Sequence, residues 1–205
     1  MERYLKKEIY LALEKKIVFL SGPRQTGKTT LAKSLFQNID YLNYDDELHR
    51  ERLLKRRWRR DVDCVIFDEL HKMKDWKRWL KGIYDTEGIQ PKLLVTGSAH
   101  MDAFSKVGDS MAGRYRHFTI FPIDVCEGIQ YWRPESKVVV SQLMNMSGFP
   151  EPFLENDIDF YRVWQKTHLD IILRQDFLDL YSVRSIKNIE ILLQLLTPRV
   201  GSSVS

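Results

Sequence analysis

The sequence predicts an α/β fold: a parallel sheet with helices on both faces, followed by a helical region. Three observations carry this. Short β-like runs, IVFLSG (17–22), YLNYD (41–45), DCVIFDE (63–69), KLLVTGS (92–98) and YRHFTIF (115–121), alternate with segments of helical period. The inner runs are apolar throughout rather than alternating, as in strands buried on both faces. After Pro122 the pattern changes, and no further segment reads as a strand.

Along the chain, Leu5 to Leu13 has apolar residues at helical spacing and predicts an opening helix. IVFLSG is the first buried strand, and GKTTLAKSLFQN (27–38) the helix after it. YLNYD is a short strand, and DELHRERLLKRRW (46–58) a charged helix. DCVIFDE is the second buried strand, and WKRWLKGIYDTEG (76–88) a helix that Gly88 ends. KLLVTGS is the third buried strand, and YRHFTIF an outer one. VWQKTHLDIILRQDFLDLY (163–181) and IKNIEILLQLL (186–196) are amphipathic helices. The expected division is 1–135 for the sheet domain and 136–205 for the helical region. The end, TPRVGSSVS, reads as a helix stop and a Gly-Ser turn, the expected mark of a truncated chain.

The 205 residues are 43% hydrophobic and 29% charged, enough for a sizeable core. The net charge of +4 permits an anionic partner without requiring one. Two cysteines, Cys64 and Cys126, are too few for a disulfide framework or a zinc site, and Cys64 in its apolar run reads as a small buried hydrophobe. The charged N-terminus lacks a signal-peptide core, and no apolar run approaches the roughly 20 residues that span a bilayer. A soluble, cytoplasmic protein with no membrane contact is expected.

The first strand runs into Gly22-Pro23-Arg24-Gln25-Thr26-Gly27-Lys28-Thr29, which fits G-x-x-x-x-G-K-[ST], with Thr30 next. Gly22 and Gly27 allow the tight turn that aims successive N–H groups at one anion. The helix beginning at Lys28 points its positive end at the same place. Lys28 supplies a mobile charge for β- and γ-phosphates, and Thr29 a hydroxyl for Mg²⁺. ATP and Mg²⁺ are the expected cofactors. In VIFDEL (65–70), Asp68 stands at a strand end where it can hold Mg²⁺ through water, and Glu69 can polarise an attacking water. That acid pair argues for hydrolysis over transfer to a small-molecule hydroxyl. Thr96 and Ser98 end the next strand at the edge facing the ligand crevice, where one of them can touch the γ-phosphate or the water. Arg114, before the outer strand, can stabilise charge on the transferred phosphoryl group from its own chain or a neighbour's. The second case needs a homo-oligomer, which the sequence leaves open.

GPRQTGKTTL, VIFDELHKMKDW, LLVTGS and MAGRY followed by FPID, in this order, resemble the predicted ATPases of the AAA superfamily of bacteria and archaea that carry a C-terminal domain of unknown function. SGFPEP (147–152) and LRQDFLDLY (173–181) look like that family's next landmarks, so the resemblance runs from about 10 to 196. It implies a P-loop NTPase fold, with Asp68 as Mg²⁺ aspartate, Glu69 as catalytic base, Thr96 or Ser98 as sensor and Gly113-Arg114 as arginine finger. His71 stands where the family has Gln, and reads as an exposed helix-start residue. The family continues into a winged-helix segment, of which 136–205 would be an incomplete start.

Arg52, Lys55, Arg56, Arg57, Arg59 and Arg60 surround Trp58 in the run 51–61. This admits nucleic acid as a partner, held by a basic patch with one stacking aromatic; a solvated helix face is the alternative. Trp79 reads as helix-to-sheet packing. His49, His71, His100, His117 and His168 lack metal-ligand spacing, and Asp170, Asp176 and Asp179 read as surface helix charge. The expected function is Mg²⁺-dependent ATP hydrolysis coupled to a conformational change. The alternative is a nucleotide-gated regulator that binds nucleic acid or protein and turns over slowly.

Overall fold

In the computed structural model, which describes residues 3–97, 111–132, 134–173 and 186–196, the five expected strands form one sheet. They are β1 (Ile17–Ser21), β2 (Ile39–Asn43), β3 (Cys64–Asp68), β4 (Lys92–Thr96) and β5 (Tyr115–Thr119). Every pairing is parallel, in the order β2-β3-β4-β1-β5. Parallel neighbours need crossover connections, and helices supply three of them. α1 (Leu5–Leu13) precedes the sheet; α2 (Lys28–Lys33), α3 (Glu47–Leu54) and α4 (Trp76–Glu87) connect β1 to β2, β2 to β3 and β3 to β4, and α5 (Val125–Tyr131), α6 (Ser136–Met146) and α7 (Pro150–Glu155) follow the last strand.

The all-apolar strands feed two cores. Ile17, Phe19, Val65, Phe67, Leu93 and Val95 face one side, against Trp76, Leu80 and Ile83 of α4. Val18, Leu20, Cys64, Ile66 and Leu94 face the other, against Ile9 and Leu13 of α1 and Leu31 of α2. Successive strand residues point to opposite faces, so a strand covered on both sides has no position for a polar residue until it ends.

Two helices are shorter than their spacing predicts. The helix expected over 27–38 stops at Lys33, where the Ser34 Oγ donates to Leu31 O at 2.8 Å. The helix expected over 46–58 is capped by Asp46, which accepts from His49 N at 2.8 Å, and ends at Leu54. Arg56 then takes φ +53°, turning the chain so that Trp58 enters the core. Trp58 meets Phe67 and Trp79 edge-on at centroid distances of 5.2 and 5.9 Å. The basic run therefore offers no stacking aromatic, which corrects the expectation of a nucleic-acid platform over 52–60. Four of its six cations are also engaged: Arg52 with Asp40, Lys55 with Glu51, Arg59 with Asp61 and Arg60 with Glu87. Trp79 packs against the core, and Gly88 ends α4 with φ +74°, both as expected.

The described residues fall into two compact units, 1–154 and 155–205, with α6 wholly and α7 largely in the first. The second holds α8 (Ile158–Ile171) and α9 (Ile186–Leu196). In α8 the ring of Trp164 stacks on His168 at 4.4 Å. Among the described residues no helix is long and apolar enough to cross a membrane.

Cys64 is fully buried and burial pushes its thiol up to about 12, whereas Cys126 is exposed. A thiol reagent at neutral pH should titrate one cysteine in the folded chain and two in denaturant; two fast-reacting thiols without denaturant would contradict this packing.

Candidate active site

Parallel register brings distant stretches of sequence to one edge. Leu20 pairs with Thr96, Phe67 with Val95 and Asn43 with Asp68, so the carboxyl ends of β1, β2, β3 and β4 lie side by side. The loop leaving β1 turns back at once. Gly22 has φ +147°, and a Cβ there would lie 2.2 Å from Ile120 O, so only glycine passes the strand end. Gln25 and Gly27 follow with φ +61° and +87°, and the Thr26 hydroxyl donates to Pro23 O at 2.8 Å. Lys28, the first residue of α2, is buried, and its Nζ donates to Gly22 O at 3.0 Å and Pro23 O at 2.7 Å. The ammonium is thus folded back onto its own loop. Pro23 and Arg24 are half-buried, and Gln25 and Thr30 are exposed.

Asp68 is 5% exposed, yet its carboxylate is well matched. Oδ2 accepts from the Thr29 hydroxyl at 3.0 Å and the Tyr41 phenol at 2.5 Å, and Oδ1 accepts from the Thr96 hydroxyl. Burial, then the bond to Asp68, pushes the Tyr41 phenol well above its ordinary value, so it stays a donor. Glu69 follows in the left-handed region (φ +55°, ψ +26°), a conformation costing about 1–3 kcal/mol for a side-chain-bearing residue. Its Oε2 is buried with no hydrogen-bond partner, 3.6 Å from His71 Nε2 and 3.7 Å from Lys72 Nζ. Burial raises the carboxyl above the usual range, opposed chiefly by Lys72 and reinforced by Asp68. His71 is not the exposed residue expected: its side chain is 9% accessible, turned inward beside Glu69.

The structure thus brings the loop, Lys28, Thr29, Asp68, Glu69 and Thr96 together. Ser98 lies outside the described residues, as do His100, Asp176 and Asp179. Arg114 is elsewhere. Its carbonyl accepts from Ile17 N, at the start of β1, whereas the loop begins after Ser21 at the far end of that strand. At about 3.3 Å per residue, a whole strand length of about 13 Å separates them. Its guanidinium pairs with Asp85 at 3.0 Å.

Sequence reasoning missed two contributors. Tyr41 sits in a short strand with nothing to mark it. Arg3, 2% exposed, donates to Glu127 Oε1 at 2.7 Å, to Thr26 O in the phosphate loop at 2.8 Å and to Phe121 O at 2.6 Å. It ties the N-terminus, the loop and α5 together, a link between residues too far apart in sequence for any local pattern to show.

The residues present suit a nucleotide with Mg²⁺. A glycine-turned loop at a helix start is an anion cradle. Lys28 has carbonyl partners that it can give up, and Thr29 and Asp68 are hard oxygen donors already in contact, the type Mg²⁺ prefers.

Fold and site together define a P-loop, ATP-binding protein of AAA type. The family profile described as "AAA domain" matches residues 14–129, more than half of the chain, and the chain belongs to that family. An uncharacterized protein of Methanocaldococcus jannaschii is 24% identical over 218 residues, covering 93% of this chain and 48% of that protein. One of Mycobacterium tuberculosis is 23% identical over 168 residues, covering 80% of this chain and 36% of that protein. The chain therefore spans about half or less of the curated relatives it matches. Among solved structures, a single-residue variant of Thermotoga maritima RuvB superposes with TM-score 0.53 at 18% identity, over 98% of this chain and 78% of that one. The Saccharomyces cerevisiae Hsp104–ADP complex gives 0.51 at 12% identity, over 95% and 34%. These two likenesses concern the fold.

Replacing Arg3 with Ala leaves the Glu127 carboxyl buried without its partner, which should cost about 3–5 kcal/mol in urea unfolding. The double replacement Arg3→Leu, Glu127→Leu should recover part of it. A loss below about 1 kcal/mol for Arg3→Ala would show that the buried pair does not hold these segments.

Proposed function

We propose that the chain is a Mg²⁺-dependent ATP hydrolase. The observation that carries this is the pairing of two unlike carboxylates: Asp68 saturated by three hydroxyls, and Glu69 beside it with a buried oxygen that accepts nothing. The first is suited to hold a cation, the second to take a proton.

Bound ATP and Mg²⁺ supply the phosphoryl group and the charge neutralisation that its transfer needs. Lys28 releases Gly22 O and Pro23 O, both neutral carbonyls, and turns its ammonium to the phosphates. The loop amides and the start of α2 orient the same group. Thr29 and Asp68, now joined by a hydrogen bond, are the residues that would hold the cation. Tyr41 and Thr96 keep Asp68 in place, since each contacts it independently. Glu69 Oε2 accepts the proton of a water aligned for attack; burial raises its carboxyl above the usual range and so its basicity, opposed chiefly by Lys72. His71 and Lys72 fix its orientation from the other side, and Lys72 is itself anchored to Asp45 at 2.6 Å.

Arg114 is suited by its strand position to serve a neighbouring chain rather than its own site, because the loop is at the other end of the sheet. We assign it the arginine-finger role in a homo-oligomer. Release of Lys28 and of the Thr29–Asp68 contact gives the loop two arrangements, and the Arg3 bond to Thr26 O carries the difference to α5. That is the conformational change we couple to turnover.

Glu69→Gln should keep ATP affinity within about threefold and lower kcat by about 10²-fold or more, read by fluorescent-nucleotide titration and phosphate release. Turnover near wild type would remove the base role. Arg114→Ala should bind ATP normally and hydrolyse it slowly. Adding a Glu69→Gln chain, which keeps Arg114, should raise the turnover of the Arg114→Ala chain. Absence of any rescue in such mixtures would return Arg114 to a structural role with Asp85.

A further inference from the structure

The outer face of α4 breaks the local rules of helix charge. A helix favours acids in its first turn and bases in its last. The first turn of α4 holds Lys77 and Arg78 and no acid, and its last turn holds Asp85 and Glu87 and no base. Lys81 lies four residues from Lys77 and three from Arg78, so all three are neighbours of like charge, which destabilises a helix further. Lys74 stands just before the helix. Arg56 joins it from the loop after α3: a Cβ on Gly82 would lie 3.5 Å from Arg56 Nη2.

Two other exposed helices pair their charges along one face, as in Lys55–Glu51 and Arg162–Asp159. Here the two acids of the last turn are taken up by Arg114 and Arg60. Lys74, Arg78, Lys81 and Arg56 make no ion pair among the described residues. Lys74, Arg78, Lys81 and Arg56 thus stand at this surface beside Lys77 and Asp75, without an acid paired to any of the four.

The chemistry around these cations identifies the partner. Among the described residues between 55 and 97 no large apolar side chain is exposed, since the aromatic and aliphatic residues of α4 are turned into the core. A protein interface wants apolar or aromatic anchors at its centre, and a bilayer surface wants apolar side chains to enter it. A nucleic-acid backbone wants cations and little else.

We propose that Lys74, Lys77, Arg78 and Lys81, with Arg56, form a docking face for the phosphate backbone of duplex nucleic acid. It is centred on α4 and takes only Arg56 from the run 52–60, whose other cations are mostly paired and whose tryptophan is buried. The interaction is independent of base sequence, and of the nucleotide site.

The test is fluorescence anisotropy of a labelled mixed-sequence DNA duplex with the full chain, without ATP, between about 50 and 200 mM salt. Four or so phosphate contacts predict a slope of log K against log salt near −4, an affinity loss of about 10²-fold over that range. K74Q/R78Q/K81Q should lower affinity about 10²-fold at about 50 mM salt and bring the slope to between about −1 and −2. It should leave ATP affinity unchanged and keep or raise Tm, because the removed charges oppose the helix. The control K7Q/K15Q/K137Q removes three exposed lysines elsewhere and should cost little. The proposal is overturned by absence of duplex binding at the low-salt end, by equal losses in the two triple variants, by a lower Tm in the first, or by tighter binding of poly-glutamate or phosphatidylserine vesicles than of DNA.

Discussion

A carboxylate placed at the end of a fully buried strand must be neutralised or hydrogen-bonded, because an isolated buried charge costs far more than a small domain's stability can absorb. Asp68 meets that demand with hydroxyls from three separate elements: Thr29 at the start of α2, Tyr41 on β2 and Thr96 on β4. Each element reaches it only because the parallel register aligns the strand ends. The order β2-β3-β4-β1 is thus also a statement about the site. The strand bearing the acid has the phenol strand on one side and, on the other, the threonine strand, with the phosphate loop beyond that. Shifting any one of these strands by a residue would send its donor to the opposite face.

Glu69 shows what the same edge does with a second acid. The strand ends at Asp68, and a chain that continued extended would carry Glu69 away from the crevice. The left-handed turn at Glu69 reverses the chain into the short helical turn at Leu70–Lys72, which brings His71 and Lys72 back alongside the carboxyl group. The strain of that turn and the unmet oxygen are two local costs at adjacent points, held by a scaffold whose strands are buried throughout. Neighbouring carboxylates acquire different chemistry here through environment alone, one matched by neutral donors and the other desolvated beside cations.

The fold was legible in the sequence because its signals are local. Five strands and the helices between them follow from apolar runs and period, and the loop from glycine spacing. Helix lengths were misjudged where one residue overrode periodicity: Ser34 bonding back to Leu31, and Arg56 at positive φ. Within the site, Lys28, Thr29, Asp68 and Glu69 carried a motif. Tyr41 and Arg3 did not, because their roles depend on partners on other strands or more than a hundred residues away. His71 was misread for a related reason: its inward orientation is set by the turn at Glu69, and no pattern of side chains announces a backbone conformation.

Sequence patterns also mislead about charge. Six bases around a tryptophan read as a binding surface, yet folding sends the tryptophan inward and the nearest acids to four of the bases. The cations of α4 are fewer and inconspicuous as a string. What distinguishes them is that each has a reason not to be there. Lys77 and Arg78 sit at the wrong end of the helix dipole and Lys81 beside them, while the acids able to relieve them are held by arginines from other segments. A surface optimised only for folding and solubility would reverse this arrangement at no cost to the core, since none of these side chains belongs to it. Charge retained against local preference is a sharper sign of an external partner than charge in quantity.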